Sequence, residues 1–190
     1  MNNKAITIYC ASSPEAPAVF MNAAFDVGRI CAEQGIGTIT GAGMSGLMGE
    51  VVRGTLSVPG GQAIGVIPQF MVDRGWANPL MTELHITDTM HSRKQMLADL
   101  GCGAIALPGG LGTLDELMDL LTHCQLGLYS NPVVILNIDG FYDHLLAQLA
   151  HADTCSMMRH MNLPGDLWLV ATTPEQAVKL ILEHGADTRN

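Results

Sequence analysis

Apolar residues recur along this chain in two alternating patterns. Short continuous runs at 5–10, 36–40, 63–67, 104–107 and 133–138 predict buried strands. Between them lie stretches with helical spacing. Residues 18–34 place Val19, Phe20, Ala23, Ala24, Val27, Ile30 and Cys31 on one stripe, and Gly35 follows as a stop. Further helices are predicted from 46 to about 57, from Asp88 or Thr89 to 100, from 114 to about 124, and over 141–150. Thr173-Pro174-Glu175 opens a last one, to 184, with proline at its first position. Residues 68–81, with Gly75, Trp76 and Pro79, read as irregular and as a candidate flap; 85–87 as a short extended piece; 167–171 as a short last strand. The segment 151–164 has no assignable pattern.

Strands alternating with helices predict an α/β fold: a Rossmann-like, doubly wound parallel sheet with helices on both faces. One domain spanning 1–190 suits the length. If the five strands take the order 3-2-1-4-5, the loops after strands two, one and four meet at one crevice, the usual ligand position in such sheets. Those loops are rich in small residues: 41–46, 10–13 and 108–113.

Composition narrows the function. Hydrophobic residues make up 48% and charged residues only 14%, which predicts helix surface covered by a partner subunit. The formal net charge is −9, so a nucleic acid polymer is excluded as a partner. No apolar run reaches membrane-spanning length, and the opening Met1-Asn2-Asn3-Lys4 has no signal-peptide pattern. Five scattered cysteines without metal spacing fit buried thiols in a reducing, cytoplasmic setting.

Two segments carry chemistry. Leu107-Pro108-Gly109-Gly110-Leu111-Gly112-Thr113-Leu114-Asp115-Glu116 leads from a strand through a glycine turn into a helix. Bare backbone N–H groups at a helix N-terminus seat a phosphate, Thr113 adds a hydroxyl, and Glu116 is expected in the first helical turn. The residues alone also fit an ordinary glycine-rich turn whose acids complement the helix dipole. Gly41-Ala42-Gly43-Met44-Ser45-Gly46 matches the dinucleotide fingerprint, but the next strand ends in Ile67-Pro68 without the acid that would hold a ribose. It is read as a backbone cradle for one end of a nucleotide, with a nicotinamide dehydrogenase as the weaker alternative. Arg93 falls on the helical face of Met96, Leu97 and Leu100, an unusual place for a scarce cation. It either snorkels to solvent or aims a guanidinium into the crevice.

Met90-His91-Ser92-Arg93-Lys94, together with the run from Pro108 to Glu116, closely resembles the LOG ("Lonely guy") family of cytokinin riboside 5′-monophosphate phosphoribohydrolases, long labelled lysine decarboxylases. The resemblance extends from residue 6 to about 146 and includes Gly46-Leu47-Met48-Gly49 and Gln125-Leu126-Gly127. It implies a homodimer that cleaves the N-glycosidic bond of a purine nucleoside 5′-monophosphate, such as AMP or an N6-substituted AMP, without metal or organic cofactor. The family's essential Arg and Glu fall on Arg93 and Glu116. Its substrate contacts fall on Ser12, Ser13, Gly43, Met90, Arg93, Lys94, Gly109, Gly110, Leu111, Gly112, Thr113, Leu114, Asp115, Glu116 and Thr122. Cys10-Ala11-Ser12-Ser13 replaces the family's Cys-Gly-Ser-Ser, Ala42 replaces a glycine, and Gln69-Phe70 stands where an acid is usual. Similar folds include molybdenum-cofactor carriers, so a non-catalytic nucleotide or cofactor binder is the alternative. Lysine decarboxylation would need pyridoxal phosphate on a lysine, and the chain has only Lys4, Lys94 and Lys179.

Overall fold

The computed structural model describes residues 4–158 and 167–187. The strands β1 (Ala5–Tyr9), β2 (Gly37–Thr40), β3 (Ala63–Pro68), β4 (Glu83–Thr87), β5 (Ala104–Ala106), β6 (Val133–Leu136) and β7 (Leu169–Ala171) form one sheet in the order β4-β3-β2-β1-β5-β6-β7. Every neighbouring pair is parallel. The expected central order is present, and the sheet is wider than expected at both edges. The short piece at 85–87 is part of β4, which pairs with β3 from Ile64↔Glu83 to Pro68↔Thr87.

Parallel strands need crossovers, and helices supply them: α1 (Ala18–Glu33), α2 (Gly46–Leu56), α3 (Gln69–Asp73), α4 (Met90–Leu100), α5 (Leu111–Gln125), α6 (Asp143–Thr154) and α7 (Pro174–Asp187). Alternate residues of each strand face opposite layers. Ile6, Ile8, Ile105, Leu107, Val134 and Leu136 pack with α1, α2 and α7. Ala5, Tyr9, Ile39, Val66, Ala104, Ala106, Val133 and Ile135 pack with α4, α5 and α6. Buried threonines tie helices to the sheet on both faces. Thr7 Oγ1 donates to Leu97 O of α4 at 2.6 Å, and the Thr38 and Thr55 hydroxyls are 2.8 Å apart beneath α2.

Three expectations are corrected. Residues 68–81 are not wholly irregular: Pro68 ends β3 and the five residues after it form α3. The 141–150 helix starts two residues later, after a 3-10 turn at Ile138–Gly140, and runs on to Thr154. That extension takes the first residues of the unassigned 151–164 segment; residues 159–166 lie outside the described ones. The helix of the central motif begins at Leu111, not at 114, so Gly112 and Thr113 are already helical.

Candidate active site

The loops after β1, β2 and β5 open at the carboxyl edge of the sheet around a cavity of about 660 Å³. The loop after β1 contributes Ser12 and Ser13, and the loop after β2 contributes Gly43, Met44 and Ser45. The two are knitted together: Ser45 Oγ donates to Ser12 O at 2.9 Å, and Met48 N to Ala11 O at 3.1 Å. The Ala11 N–H in turn donates to Pro108 O, 3.2 Å away, joining the loop after β5.

Helix α5 begins at this rim with Gly110 as its N-cap and no capping side chain. The N–H groups of Leu111, Gly112 and Thr113 precede the first intrahelical bond, Leu114 N to Gly110 O at 3.0 Å. Glu116 therefore sits in the second turn of α5, not the first as the motif suggested. The late apparent start arose because Leu111 points outward, 88% exposed, and broke the apolar period.

Helix α4 brings Arg93 to the same cavity. Thr89 caps α4: its Oγ1 accepts from Ser92 N at 3.0 Å, and Ser92 Oγ accepts from Thr89 N at 3.1 Å. One turn later Arg93 is buried with Leu97 and Ala98, while Leu100 lies on the solvent side. The expected grouping of Arg93 with Leu100 is thus corrected; the buried face turns through Ala98 instead.

The guanidinium is fixed on three sides. Nε donates to Val66 O at 3.2 Å, and Nη1 donates to Glu116 Oε1 at 2.6 Å. Nη2 lies against Gly41: a Cβ there would come within 1.9 Å of it. The arginine therefore leaves no room for a side chain at 41. Arg93 and Glu116 are 6% and 8% exposed, and both line the cavity. A charge-assisted bond of this length in a low-dielectric wall holds both side chains in one orientation.

Burial raises the Glu116 carboxyl above its ordinary range, and the Arg93 charge and hydrogen bond lower it only in part. Burial, and then the Glu116 charge, also push the Cys10 thiol and the Tyr9 phenol up. Cys10 lines the cavity, and its burial disfavours the thiolate form.

The structure brings together Ser12, Ser13, Gly43, Met90, Arg93, Gly110, Leu111, Gly112, Thr113, Asp115 and Glu116 at the cavity wall. Lys94, Gly109, Leu114 and Thr122 are not on it. Burial works against the Lys94 ammonium, but Asp115 and Asp119, at 3.1 and 3.2 Å, outweigh it and raise its pKa. Gly109 lies behind the turn, where a Cβ would meet Thr113 Oγ1 at 2.1 Å. Leu114 packs into the core. Thr122 is exposed, its hydroxyl donating to Met118 O at 2.8 Å. Sequence reasoning read 68–81 as a candidate flap but did not place Met71 and Trp76 in the site. Trp76, a large aromatic in a stretch without helical or strand period, was the available signal.

A family model described as "possible lysine decarboxylase" matches residues 48–181. The chain belongs to that family, the LOG family. A LOG relative from Rhodococcoides fascians, a cytokinin riboside 5′-monophosphate phosphoribohydrolase, is 37% identical over 150 residues, 78% of this chain and 75% of the relative. One of the same name from Oryza sativa subsp. japonica is 39% identical over 142 residues. That match covers 75% of this chain but 58% of the rice protein, so the chain spans little more than half of that relative. The molybdenum cofactor carrier protein of Chlamydomonas reinhardtii is 19% identical, with a TM-score of 0.71 over 97% of this chain and 99% of that one. The molybdenum cofactor binding protein of Rippkaea orientalis is 22% identical, with a TM-score of 0.70 over 95% and 96%. These two likenesses show that LOG proteins and such carriers share a fold.

Proposed function

We propose that this chain hydrolyses the N-glycosidic bond of purine nucleoside 5′-monophosphates, AMP and N6-substituted AMP among them, giving free base and ribose 5-phosphate. The observation that carries the reading is the buried Arg93–Glu116 pair beside the bare N-terminus of α5. The names of the LOG relatives support it.

The chemistry follows from the charges. The 5′-phosphate sits at the α5 N–H groups, which fixes the ribose relative to Glu116. As the C1′–N9 bond breaks, its electron pair leaves with the base and positive charge spreads over C1′ and the ring oxygen. The Glu116 carboxylate stabilises that charge and takes a proton from the attacking water, whose oxygen bonds to C1′. The proton passes on to the departing base. A carboxyl with a raised pKa suits this relay better than an ordinary one. Arg93 keeps Glu116 aimed and orients the nucleotide; a guanidinium is too weak an acid to be the proton donor.

A homodimer in a reducing cytoplasm completes the reading. Thr122, to which the LOG resemblance assigns a substrate contact, is exposed on α5 away from its own cavity, and a second subunit reconciles the two.

The test is incubation with AMP and with an N6-substituted AMP, following free base by chromatography. Base release that disappears in Glu116→Gln supports the hydrolase. Retention of nucleotide with no release, or tight capture of a molybdenum cofactor instead, overturns it in favour of a binding protein.

A further inference from the structure

Residues 69–82 carry a feature that the reading above does not use. None of the five residues of α3 is buried, yet the segment is held firmly. Asn78, only 5% exposed, donates from its backbone N–H to Ala42 O at 2.9 Å and from Nδ2 to Gly43 O at 3.3 Å. Its Oδ1 accepts from Leu80 N at 3.0 Å. The segment after α3 thus hangs from the loop after β2, in which Ala42 takes a left-handed φ of 60°. Upstream, the Arg74 guanidinium lies over two rings at once, 5.4 Å from the Phe70 centroid and 5.1 Å from that of Trp76. Such contacts fix an exposed aromatic side chain that would otherwise sample several rotamers.

Trp76 lines the cavity and is 47% exposed. It follows β3, while the α5 N-terminus follows β5; β2 and β1 lie between them in the sheet. Three interstrand spacings are about 14 Å. Arg93 bridges that interval, from Val66 O on β3, past Gly41 after β2, to Glu116 on α5. A nucleotide with its phosphate at α5 and its anomeric carbon at Glu116 therefore extends its base toward β3. The cavity wall on that side is the apolar Ile67, Met71, Trp76, Met44 and Met48, and the Arg93 guanidinium that reaches β3 is already engaged by Val66 O and Glu116 Oε1. Gln69 is turned away, its Nε2 donating to Asp73 Oδ1 at 2.8 Å.

We propose that Trp76 is the stacking platform for the base, that Arg74 and Asn78 are the positioning residues that set it, and that the pocket recognises a purine by its aromatic face rather than its hydrogen-bonding edge. The proposal rests on the nucleotide reading of the site but not on turnover. Aromatic platforms bind every purine in this way, so adenine and hypoxanthine nucleotides bind with similar strength.

Trp168 is the second tryptophan of the chain, so Trp168→Phe leaves Trp76 as the sole indole reporter. In that background, with Glu116→Gln added to stop turnover, AMP, inosine 5′-monophosphate and ribose 5-phosphate are titrated by fluorescence and calorimetry. AMP and inosine 5′-monophosphate are expected to quench Trp76 with affinities within about threefold of each other, and ribose 5-phosphate to bind without quenching. Trp76→Ala should weaken AMP about tenfold, the usual loss of one stacking face, and leave ribose 5-phosphate within twofold. Trp76→Phe should fall between. Arg74→Ala should weaken AMP several-fold, Arg74→Lys should restore it, and Arg74→Ala should add nothing to Trp76→Ala. Asn78→Ala should weaken AMP as Arg74→Ala does, with Asn78→Asp recovering part. Equal losses for AMP and ribose 5-phosphate in Trp76→Ala, an AMP titration without quenching, or strong discrimination between the two purines overturns the proposal. AMP binding with quenching but no base release from the wild type upholds it and removes the hydrolase reading; no AMP binding removes both.

Discussion

Arg93 and Glu116 each bury a charge that, among the described residues, the other neutralises at 2.6 Å. Removing one partner of a buried pair costs about 3–5 kcal/mol. Arg93→Gln is therefore expected to lower the Tm by about 10 °C, at about 2–4 °C per kcal/mol for a chain of this size. The sign of its pH dependence follows from Glu116. A carboxyl whose folded pKa is raised favours the fold below the unfolded value and loses that contribution as pH rises through the folded one. The Tm deficit of Arg93→Gln should thus shrink as pH falls toward about 4.3, the ordinary glutamate value. In kinetics, the acidic limb for base release should lie above that value and move higher still in Arg93→Gln, because a lowering influence has gone. An acidic limb that stays put in this variant would separate Glu116 from the rate. Gly41→Ala tests the same pair from behind. Its Cβ would collide with Arg93 Nη2, and a displacement near 1 Å costs about 10²-fold in rate. Steady-state kinetics should show that loss in kcat, with circular dichroism unchanged. Each member of the pair was legible singly, Arg93 as a cation on an apolar face and Glu116 as an acid after a glycine turn. Their bond was not, because it joins residues 23 positions apart. Lys94 misled for the same reason: the carboxylates that hold it lie on another helix.

Elements were legible where burial imposes a period and illegible where it does not. Strands β1, β3, β5 and β6 have buried residues almost throughout and appear as largely apolar runs, while β2, equally buried, shows as a β-branched run, Thr38-Ile39-Thr40. β4 is mostly exposed, and its membership of the sheet rests on backbone bonds to β3, which leave no hydrophobic trace. α3 and the segment after it are fixed by Asn78 and by ring contacts of Arg74, neither of which has a periodic signature. The start of α4 was legible because capping chemistry is local, and it makes a prediction at this scale. Thr89→Ala removes the acceptor for Ser92 N and should cost about 1 kcal/mol, a Tm decrease of about 2–4 °C by calorimetry. Since Arg93 lies in the first turn of α4, the KM for AMP should rise as well. Thr122→Ala, whose hydroxyl donates to Met118 O of its own helix, should leave the Tm within about 2 °C by the ordinary tolerance of exposed sites, about 0.5 kcal/mol.

The sheet order at the centre of the molecule was accessible because alternation of strand and helix leaves few topologies. What surrounds the sheet was less so, and here composition gives the better guide. Only 14% of residues are charged, and the apolar excess that the core does not absorb remains on the surface. Leu100 at the end of α4, with Leu126 and Leu128 just beyond α5, is 40% exposed, and they are 43% and 71% exposed. Lys94 of α4 joins Asp115 and Asp119 of α5, which links the two helices that carry these leucines. Large exposed apolar patches commonly mark interfaces, and a self-complementary face closes as a two-fold dimer. Light scattering at micromolar concentration should therefore give twice the 20.2 kDa chain mass. The double substitution Leu100→Asp, Leu126→Asp should give a monomer with the native circular dichroism spectrum. If Thr122 serves the neighbouring cavity, the monomer should keep Trp76 quenching by AMP yet release base more slowly. A wild-type monomer with full turnover would remove the dimer from the mechanism and return Thr122 to an ordinary surface position.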